Sequence, residues 1–232
     1  MADERTPRLT YFAGRGFAEP IRLALVAAGI EYTDNYLETR DDFLQLIKDG
    51  KLMFKQVPLL EIEGKTLIGG EPILRFVCRR GRLDGKTDEE KTKIDMLTMG
   101  AKDLAWPNII NSKFDEVQVS KEKCEEDIKS AFRECRQRYL PVFEKVLSES
   151  SSGFLVGESL SMADIMVFDA LAYVKEIPEL QPLLADFPRC AAFIEHFSNQ
   201  PMIKAYLASP RRHPPTDTKH ATDVCRILGW LT

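Results

Sequence analysis

The chain has 232 residues, 44% of them hydrophobic and 29% charged, so it can bury a sizeable core as one large domain or two modest ones. Its formal net charge of -4 has interspersed signs, which gives no electrostatic case for nucleic acid; the basic cluster Arg79, Arg80, Arg82 is short and reads as a solvated helix end. No apolar run approaches membrane-spanning length, Met1–Pro7 is too polar for a signal peptide, and the five cysteines (Cys78, Cys124, Cys135, Cys190, Cys225) form no CxxC pair, so reduced thiols in a cytoplasmic protein are expected rather than a disulfide framework or a zinc site.

The front of the chain alternates strand and helix signals. Arg8–Ala13 is predicted as a short strand ended by the turn Gly14-Arg15-Gly16. Ala18–Ala28 follows as a helix, with Pro20 in its first turn and Gly29 just past its end. Glu31–Leu37 is a second strand and Asp41–Lys48 a short helix. Leu59–Ile62 and Thr66–Ile68 flank Glu63-Gly64-Lys65 as a hairpin, and Glu71–Arg79 is a helix with Pro72 in its first turn. The order predicts a small mixed sheet carrying helices.

After Gly81–Thr87, which reads as a linker, only helical spacing remains. Ile94, Leu97, Ala101 and Leu104 mark one long amphipathic helix, and Ile128, Phe132, Cys135, Tyr139 and Phe143 mark another; a break is predicted between Pro107 and Ser120. Ser148–Gly153 is a loop. Ser161-Met162-Ala163-Asp164 is a capping box, with Leu160 and Ile165 as its hydrophobic staple. Shorter helices are expected to open at Pro178, Pro188 and Pro201. A proline-rich segment, Pro210–Thr216, precedes a last helix near Thr218–Leu228, and no strand is expected after Ile68.

Three local features can carry chemistry. Tyr11 lies where the first strand meets a glycine turn, so its hydroxyl can face a cleft; equally, its ring can pack in the sheet with its tip hydrogen-bonded. Gln56-Val57-Pro58 precedes the third strand, and a cis proline there would swing the Val57 backbone outward as an edge able to receive a peptide. Gly69-Gly70-Glu71-Pro72 opens a helix whose free amides can meet a carboxylate, or simply form a cap with an acidic first turn.

Together these segments resemble a known family. The runs Leu9–Ala28 (LTYFAGRGFAEPIRLALVAA), Leu52–Leu74 (LMFKQVPLLEIEGKTLIGGEPIL) and Leu155–Val167 (LVGESLSMADIMV) are similar to cytosolic glutathione S-transferases of the alpha class, as is the tail helix before Trp230. The resemblance implies an α/β thioredoxin-like domain with a mixed four-stranded sheet over residues 1–83. An all-α domain with a C-terminal tail helix would follow over 84–232. It further implies a cytoplasmic homodimer that joins the thiolate of glutathione to hydrophobic electrophiles, in detoxification, with glutathione as co-substrate and no cofactor, metal or nucleic acid. Tyr11 would be catalytic, its hydroxyl hydrogen-bonded to the sulfur anion. Val57, beside Pro58, would pair its backbone with the cysteinyl part, Gln56 would hold the glycyl side, and Gly69 and Gly70 would offer amides. Asp103 and Arg138 match positions that reach glutathione on the partner subunit. Phe54 matches an aromatic key at the dimer interface, with Met96 and Phe143 in the receiving pocket. Phe12, Val224, Leu228 and Trp230 would line the electrophile site.

The same alignment of motifs shows departures. Phe17 stands where the family has a basic residue near the sulfur, and Ile47, with Lys48 adjacent, where another grips the glycyl carboxylate. Gly69-Gly70 replaces a Gln-Thr pair, and Glu71 adds negative charge. Three readings compete, the first two being a working transferase with a weakened glutathione site and a non-catalytic homologue serving as ligand carrier or structural protein. A thiol-disulfide oxidoreductase is the third, against which stands the lack of a cysteine before the first helix.

Overall fold

In the computed structural model, which describes residues 6–231, the strand Arg8–Tyr11 (β1) is buried at Leu9, Thr10 and Tyr11, because it has a neighbour on each side. Thr33–Tyr36 (β2) pairs with it in parallel, with Leu9 opposite Asp34. Leu59–Ile62 (β3) pairs with it antiparallel, with Leu9 opposite Leu60, and Lys65–Ile68 (β4) closes the sheet antiparallel to β3. The order is β2-β1-β3-β4, a four-stranded mixed sheet of thioredoxin-like type. The β3–β4 turn needs only Glu63 and Gly64, both at positive φ (51° and 72°), so Lys65 belongs to the strand rather than to the turn.

Three helices cover the sheet: Glu19–Ala27 (α1), Arg40–Lys48 (α2) and Gly70–Arg80 (α3). The first strand is shorter than predicted. Gly14 N–H turns back to Phe12 O at 2.8 Å and a 3-10 turn, Gly16–Ala18, leads into α1. Likewise Glu31–Leu37 contracts to β2, an edge strand. α2 begins at a reciprocal cap that the sequence pattern did not single out: Asp42 N–H donates to Thr39 Oγ1 at 3.1 Å and Thr39 N–H to Asp42 Oδ2 at 2.8 Å.

Residues 81–87 connect α3 to Asp88–Ala105 (α4), on which Ile94, Leu97, Ala101 and Leu104 are all buried as their spacing requires. The predicted break between Pro107 and Ser120 is itself helical. A π turn, Trp106–Ile110, passes directly into Ser112–Gln118 (α5), and Ser120 caps Lys121–Glu134 (α6) by accepting from Lys123 N–H at 3.2 Å. A second π turn, Cys135–Tyr139, joins α6 to Leu140–Ser148 (α7). Pro107 lies in the first turn and Pro141 just after the second, and a missing N–H favours such widening of the ladder.

Met162–Glu176 (α8) is buried on nearly every side and packs against α1, α4 and α9 (Pro188–Ser198). Asp164 ties its start to the preceding loop, accepting from Ser161 N–H (2.8 Å), Ser161 Oγ–H (2.6 Å) and Leu155 N–H (2.8 Å). Pro178 opens no helix. It falls in a turn after α8, and a 3-10 segment, Gln181–Ala185, follows with Pro182 in its first turn. The helices at Pro188 and Pro201 (α10, Pro201–Leu207) and the last, Thr218–Leu228 (α11), form as expected. Among the described residues no strand follows β4, and no helix is long and apolar enough to cross a membrane. All five cysteines are buried and unpaired.

The two halves meet on buried charge. Arg22 of α1, fully enclosed, donates from Nε to Asp34 Oδ1 (2.8 Å) and from Nη1 to Gly14 O (2.7 Å) and Glu19 Oε2 (3.4 Å). Glu19, equally enclosed, also accepts from the Tyr206 hydroxyl at 3.0 Å and from Arg212. Arg211 reaches Asp34 from the same loop at 3.0 Å. Burial opposes charge on Arg22, but Asp34 and Glu19 more than offset it and hold the guanidinium above its ordinary range. Arg22→Met is expected to lower unfolding free energy by about 3–5 kcal/mol in denaturant titration, because two buried carboxylates lose their shared cation. A cost near zero would mean the cluster relaxes into water.

Candidate functional site

A cavity of about 1200 Å³ opens between the sheet domain and the helical domain. β1 delivers Tyr11 and Phe12 to its wall because the strand ends there. The 3-10 turn supplies Gly16 and Phe17, the loop before β3 supplies Phe54, Lys55, Gln56 and Val57, and the start of α3 supplies Gly69, Gly70 and Glu71. From the helical side come Lys102, Trp106, Phe114 and Met166, and from α11 and its end His220, Val224, Leu228 and Trp230. The structure therefore brings Tyr11, Phe12, Gln56, Val57, Gly69, Gly70, Val224, Leu228 and Trp230 to one cavity. Pro58 lies beneath it, buried, joined to Val57 by a cis peptide bond. Asp103 and Arg138 do not line it; both are exposed, and Arg138 lies 3.6 Å from Glu134 with its guanidinium over the Tyr139 ring.

At the cavity wall Tyr11 is enclosed and its oxygen accepts from Phe17 N–H at 3.3 Å. Burial raises the phenol to about 12, against the smaller opposing effects of that N–H and of Arg22. The hydroxyl thus keeps its proton, and with one lone pair engaged by Phe17 the O–H is available as a donor. Val57 lies beyond the last ladder pair, Leu59 with Ile68. Among the described residues its backbone N–H and C=O make no hydrogen bond. At the start of α3, Gly69 caps the helix at φ 87° without a side chain, but its own N–H donates to Pro58 O at 3.0 Å, so of the two expected glycine amides Gly70 is the one left without a helical partner.

Charge in the cavity differs from the expectation at Ile47 and Lys48, neither of which lines it; Ile47 packs on the core instead. Lys55 and Lys102 are the lysines on its wall. Lys102 of α4 is paired with Glu71, and Arg75 with Asp95 at 2.5 Å, so two ion pairs fasten α3 to α4. The negative charge of Glu71 is therefore answered from the helical domain. Sequence reading missed Lys102 because a lysine at helical spacing gives no sign of what it faces across a domain boundary.

Sequence reading also missed how Phe17 is held. Its ring stacks on Trp106 with centroids 3.3 Å and planes 7° apart, spanning the cleft. A Cβ on Gly70 would lie 3.2 Å from the Phe17 Cβ, so Phe17 and Gly70 occupy one space between them. Gly14 is a second close approach: a Cβ there would overlap the His220 ring of α11, which closes over the strand-to-helix turn. Arg15, next in that turn, points away from the cavity and donates to Glu176 Oε2 (2.6 Å) and His213 O (2.5 Å).

A cleft between a thioredoxin-like sheet and a helical domain, with a protonated tyrosine and a free backbone edge on its wall, defines a protein that binds a peptide-like ligand beside an apolar one. The comparisons give the family. Residues 7–79 match the family described as Glutathione S-transferase, N-terminal domain, and residues 108–210 match Glutathione S-transferase, C-terminal domain. Over 225 residues the chain is 41% identical to glutathione S-transferase alpha-4 of Rattus norvegicus, covering 97% of this chain and 98% of that one. It is 38% identical to human glutathione S-transferase A3 over 231 residues, with 97% and 98% covered. Among solved structures it is similar to a glutathione S-transferase from Ascaris lumbricoides (TM-score 0.75, 32% identity, covering 91% of this chain and 100% of that one). A monomeric one from Necator americanus is similar too (TM-score 0.77, 30% identity, 91% and 98% covered). The chain belongs to the glutathione S-transferase family, with alpha-class enzymes among its relatives.

The Phe17–Gly70 contact makes a measurable pair. Gly70→Ala alone is expected to cost about 1–2 kcal/mol of stability, since the new methyl crowds a Cβ fixed to backbone. In a Phe17→Ala background the same change should be neutral or stabilising by up to about 1 kcal/mol, the usual helix preference for alanine over glycine. Equal effects in both backgrounds, read by urea titration, would show that the two positions do not meet.

Proposed function

We infer that this chain is a glutathione transferase that conjugates the glutathione thiolate to hydrophobic electrophiles. The observation that carries the reading is Tyr11: a buried, protonated phenol on the cavity wall, its oxygen fixed by Phe17 N–H and its proton free. A thiol reacts as thiolate, and its unperturbed pKa is about 8.5. The Tyr11 hydroxyl donates to that sulfur and favours the anion. The thiol proton passes to solvent, the sulfur forms the new bond to carbon, and the electrophile's leaving group departs with its electron pair.

The remaining contacts follow from the cavity wall. Val57 offers one N–H and one C=O to the cysteinyl residue, as a strand edge does. Gln56 holds the glycyl side, with Lys55 as the nearby cation in place of Ile47 and Lys48. The Gly70 amide, at the first turn of α3, receives the glutamyl carboxylate, while Gly69 N–H stays on Pro58 O. Phe12, Val224, Leu228 and Trp230 form the apolar side, where the electrophile sits. Glutathione is a co-substrate, no cofactor is invoked, and the role is detoxification in the cytoplasm. The non-catalytic alternative has less to support it: the departures at Phe17 and Gly70 pack against each other and leave Tyr11 and Val57 in place.

The enzyme is proposed to act as a homodimer. Phe54 and Met96 are each 70% exposed, a large solvent contact for apolar side chains and the pattern of a surface awaiting a second copy. Phe143, the other expected pocket residue, is buried within the chain, so it would have to act from beneath the pocket rather than from its rim. Asp103 and Arg138, exposed and outside their own cavity, would then reach the partner's glutathione. Phe54→Ala is expected to weaken the dimer by on the order of 3–5 kcal/mol and, with it, glutathione affinity. Sedimentation of parent and variant over a dilution series checks this; an unchanged dimer, or a parent that is monomeric throughout, removes the interface from the account.

The pH profile tests the chemistry. Conjugation should rise with pH as the thiol ionises, on a limb well below about 8.5 in the parent. Tyr11→Phe, which keeps the ring, should slow turnover near neutrality by one to two orders of magnitude and move the limb upward. No alkaline fall should appear up to pH 10 in the parent, because the phenol loses its proton only near 12. Rates and profile untouched by Tyr11→Phe would refute the catalytic assignment.

A further inference from the structure

We propose that Glu71 and Lys102 form a charge pair that reads the zwitterionic end of the peptide ligand, so that this protein selects γ-glutamyl thiols carrying both a free α-ammonium and a free α-carboxylate; this rests on the transferase reading above. Three observations meet here. Glu71 stands in the first turn of α3 and Lys102 in the last turn of α4, and both line the cavity. They pair with each other from opposite sides of the cleft, and their side chains remain 30% and 34% exposed, so a ligand can reach both charges. The neighbouring pair, Arg75 with Asp95, fastens the same two helices, and neither of its members lines the cavity. The junction of α3 and α4 thus has a fastening that faces no ligand, beside one that does.

The chemistry of the ligand follows from the order of the charges. A carboxylate alone at the start of α3 meets Lys102 and the Gly70 amide, but also the repulsion of Glu71. An ammonium alone meets Glu71, but also the repulsion of Lys102. A group with both signs on one carbon, as on the α-carbon of a γ-linked glutamyl residue, sets its ammonium on Glu71 and its carboxylate on Lys102 and Gly70 N–H. The charges then alternate in sign around the group. The protein pair stays closed, each ligand charge meets its opposite, and no net charge is added to the cavity. An ordinary α-linked peptide has its first carboxyl in the peptide bond and cannot match this pattern. The glycyl end of glutathione carries a carboxylate without an ammonium, so the pair also orients the tripeptide, leaving that end for Lys55, the other lysine on the wall.

The test is affinity by calorimetry on the full-length protein with glutathione and two analogues. Glutaryl-cysteinylglycine lacks the α-amino group, and 4-aminobutyryl-cysteinylglycine lacks the α-carboxyl group. The parent should bind glutathione roughly five- to thirtyfold more tightly than either analogue, the range for partly exposed ion pairs. Glu71→Gln should weaken glutathione by a similar factor yet tighten the glutaryl analogue, because a repulsion is gone. Lys102→Met should weaken glutathione likewise yet tighten the 4-aminobutyryl analogue. A strut between helices cannot produce this crossing of signs. Asp95→Asn, which opens the pair outside the cavity, should change all the affinities less than about twofold. Equal affinity of the parent for the three thiols, or uniform weakening of all three by Glu71→Gln and Lys102→Met, or a like loss in Asp95→Asn, overturns the proposal and leaves the transferase reading intact. A parent that binds none of the three overturns both.

Discussion

The carboxylate of Glu19 is the constraint on which the cleft depends. It is wholly removed from water, and ionised it would be prohibitive without partners. Arg22, Arg212 and the Tyr206 hydroxyl supply them, and each comes from a different piece of the molecule: α1 itself, the loop after α10, and α10. Arg22 also donates from Nε to Asp34 of β2 and from Nη1 to Gly14 O, the carbonyl two residues before Gly16. The strand end that bears Tyr11 and the turn that bears Phe17 are thus positioned by the same guanidinium that neutralises Glu19. Arg15 extends the clamp to Glu176 at the end of α8. Apolar packing would hold the domains together at many relative angles; directional charge pairs select one.

Inside the cleft, residues that depart from the family pattern meet one another in space. A ring at position 17 is crowded by a side chain at position 70, because their Cβ positions would stand 3.2 Å apart. Phe17 and glycine at 70 are therefore one change rather than two. Glu71 with Lys102 makes another matched pair, since the negative charge at the helix start is answered from α4. Departures that look like separate losses along the chain form two compensated units in space.

This also marks what the sequence discloses. Elements with strong period or strong punctuation were legible: the Glu63-Gly64 hairpin, the proline-led helices α9 and α10, the Asp164 cap, and the four apolar positions of α4. Tyr11 and Val57 were legible as site candidates because a strand end and a cis proline are local features. Segment 107–120 was misread because proline usually ends a helix, whereas here a π turn absorbs the missing donor and the chain continues. Pro178 was misread for the opposite reason, a helix-opening residue used in a turn. Phe17–Trp106, Glu71–Lys102 and His220 over Gly14 each join residues 31 or more apart in sequence and cross from one domain to the other. No window of local pattern contains both members, so only the fold reveals them.

The absence of a cation at position 17 leaves a question of magnitude. Moving a thiol from about 8.5 to about 6.5 takes roughly 2.7 kcal/mol of preference for the anion. One hydrogen bond to a charged acceptor supplies about 1.5–3 kcal/mol, so Tyr11 alone can suffice only if little of that is lost to water. The aromatic stack helps on this point. Phe17 and Trp106 stack across the cleft beside the Tyr11 oxygen; on the proposed role of Tyr11 a sulfur bound there would be shielded on that side, and a donor in a drier site acts more strongly on a nearby charge. The same dryness disfavours the anion itself, which is the cost of replacing a basic residue by a ring. Catalysis is then favoured only when the Tyr11 proton is already aimed at the sulfur, so that no reorganisation is spent. The Phe17 N–H that occupies one lone pair of the phenol oxygen provides that aim. On the proposed role of Tyr11, position 17 thus contributes through its backbone, whose N–H holds the phenol oxygen whatever side chain the position carries.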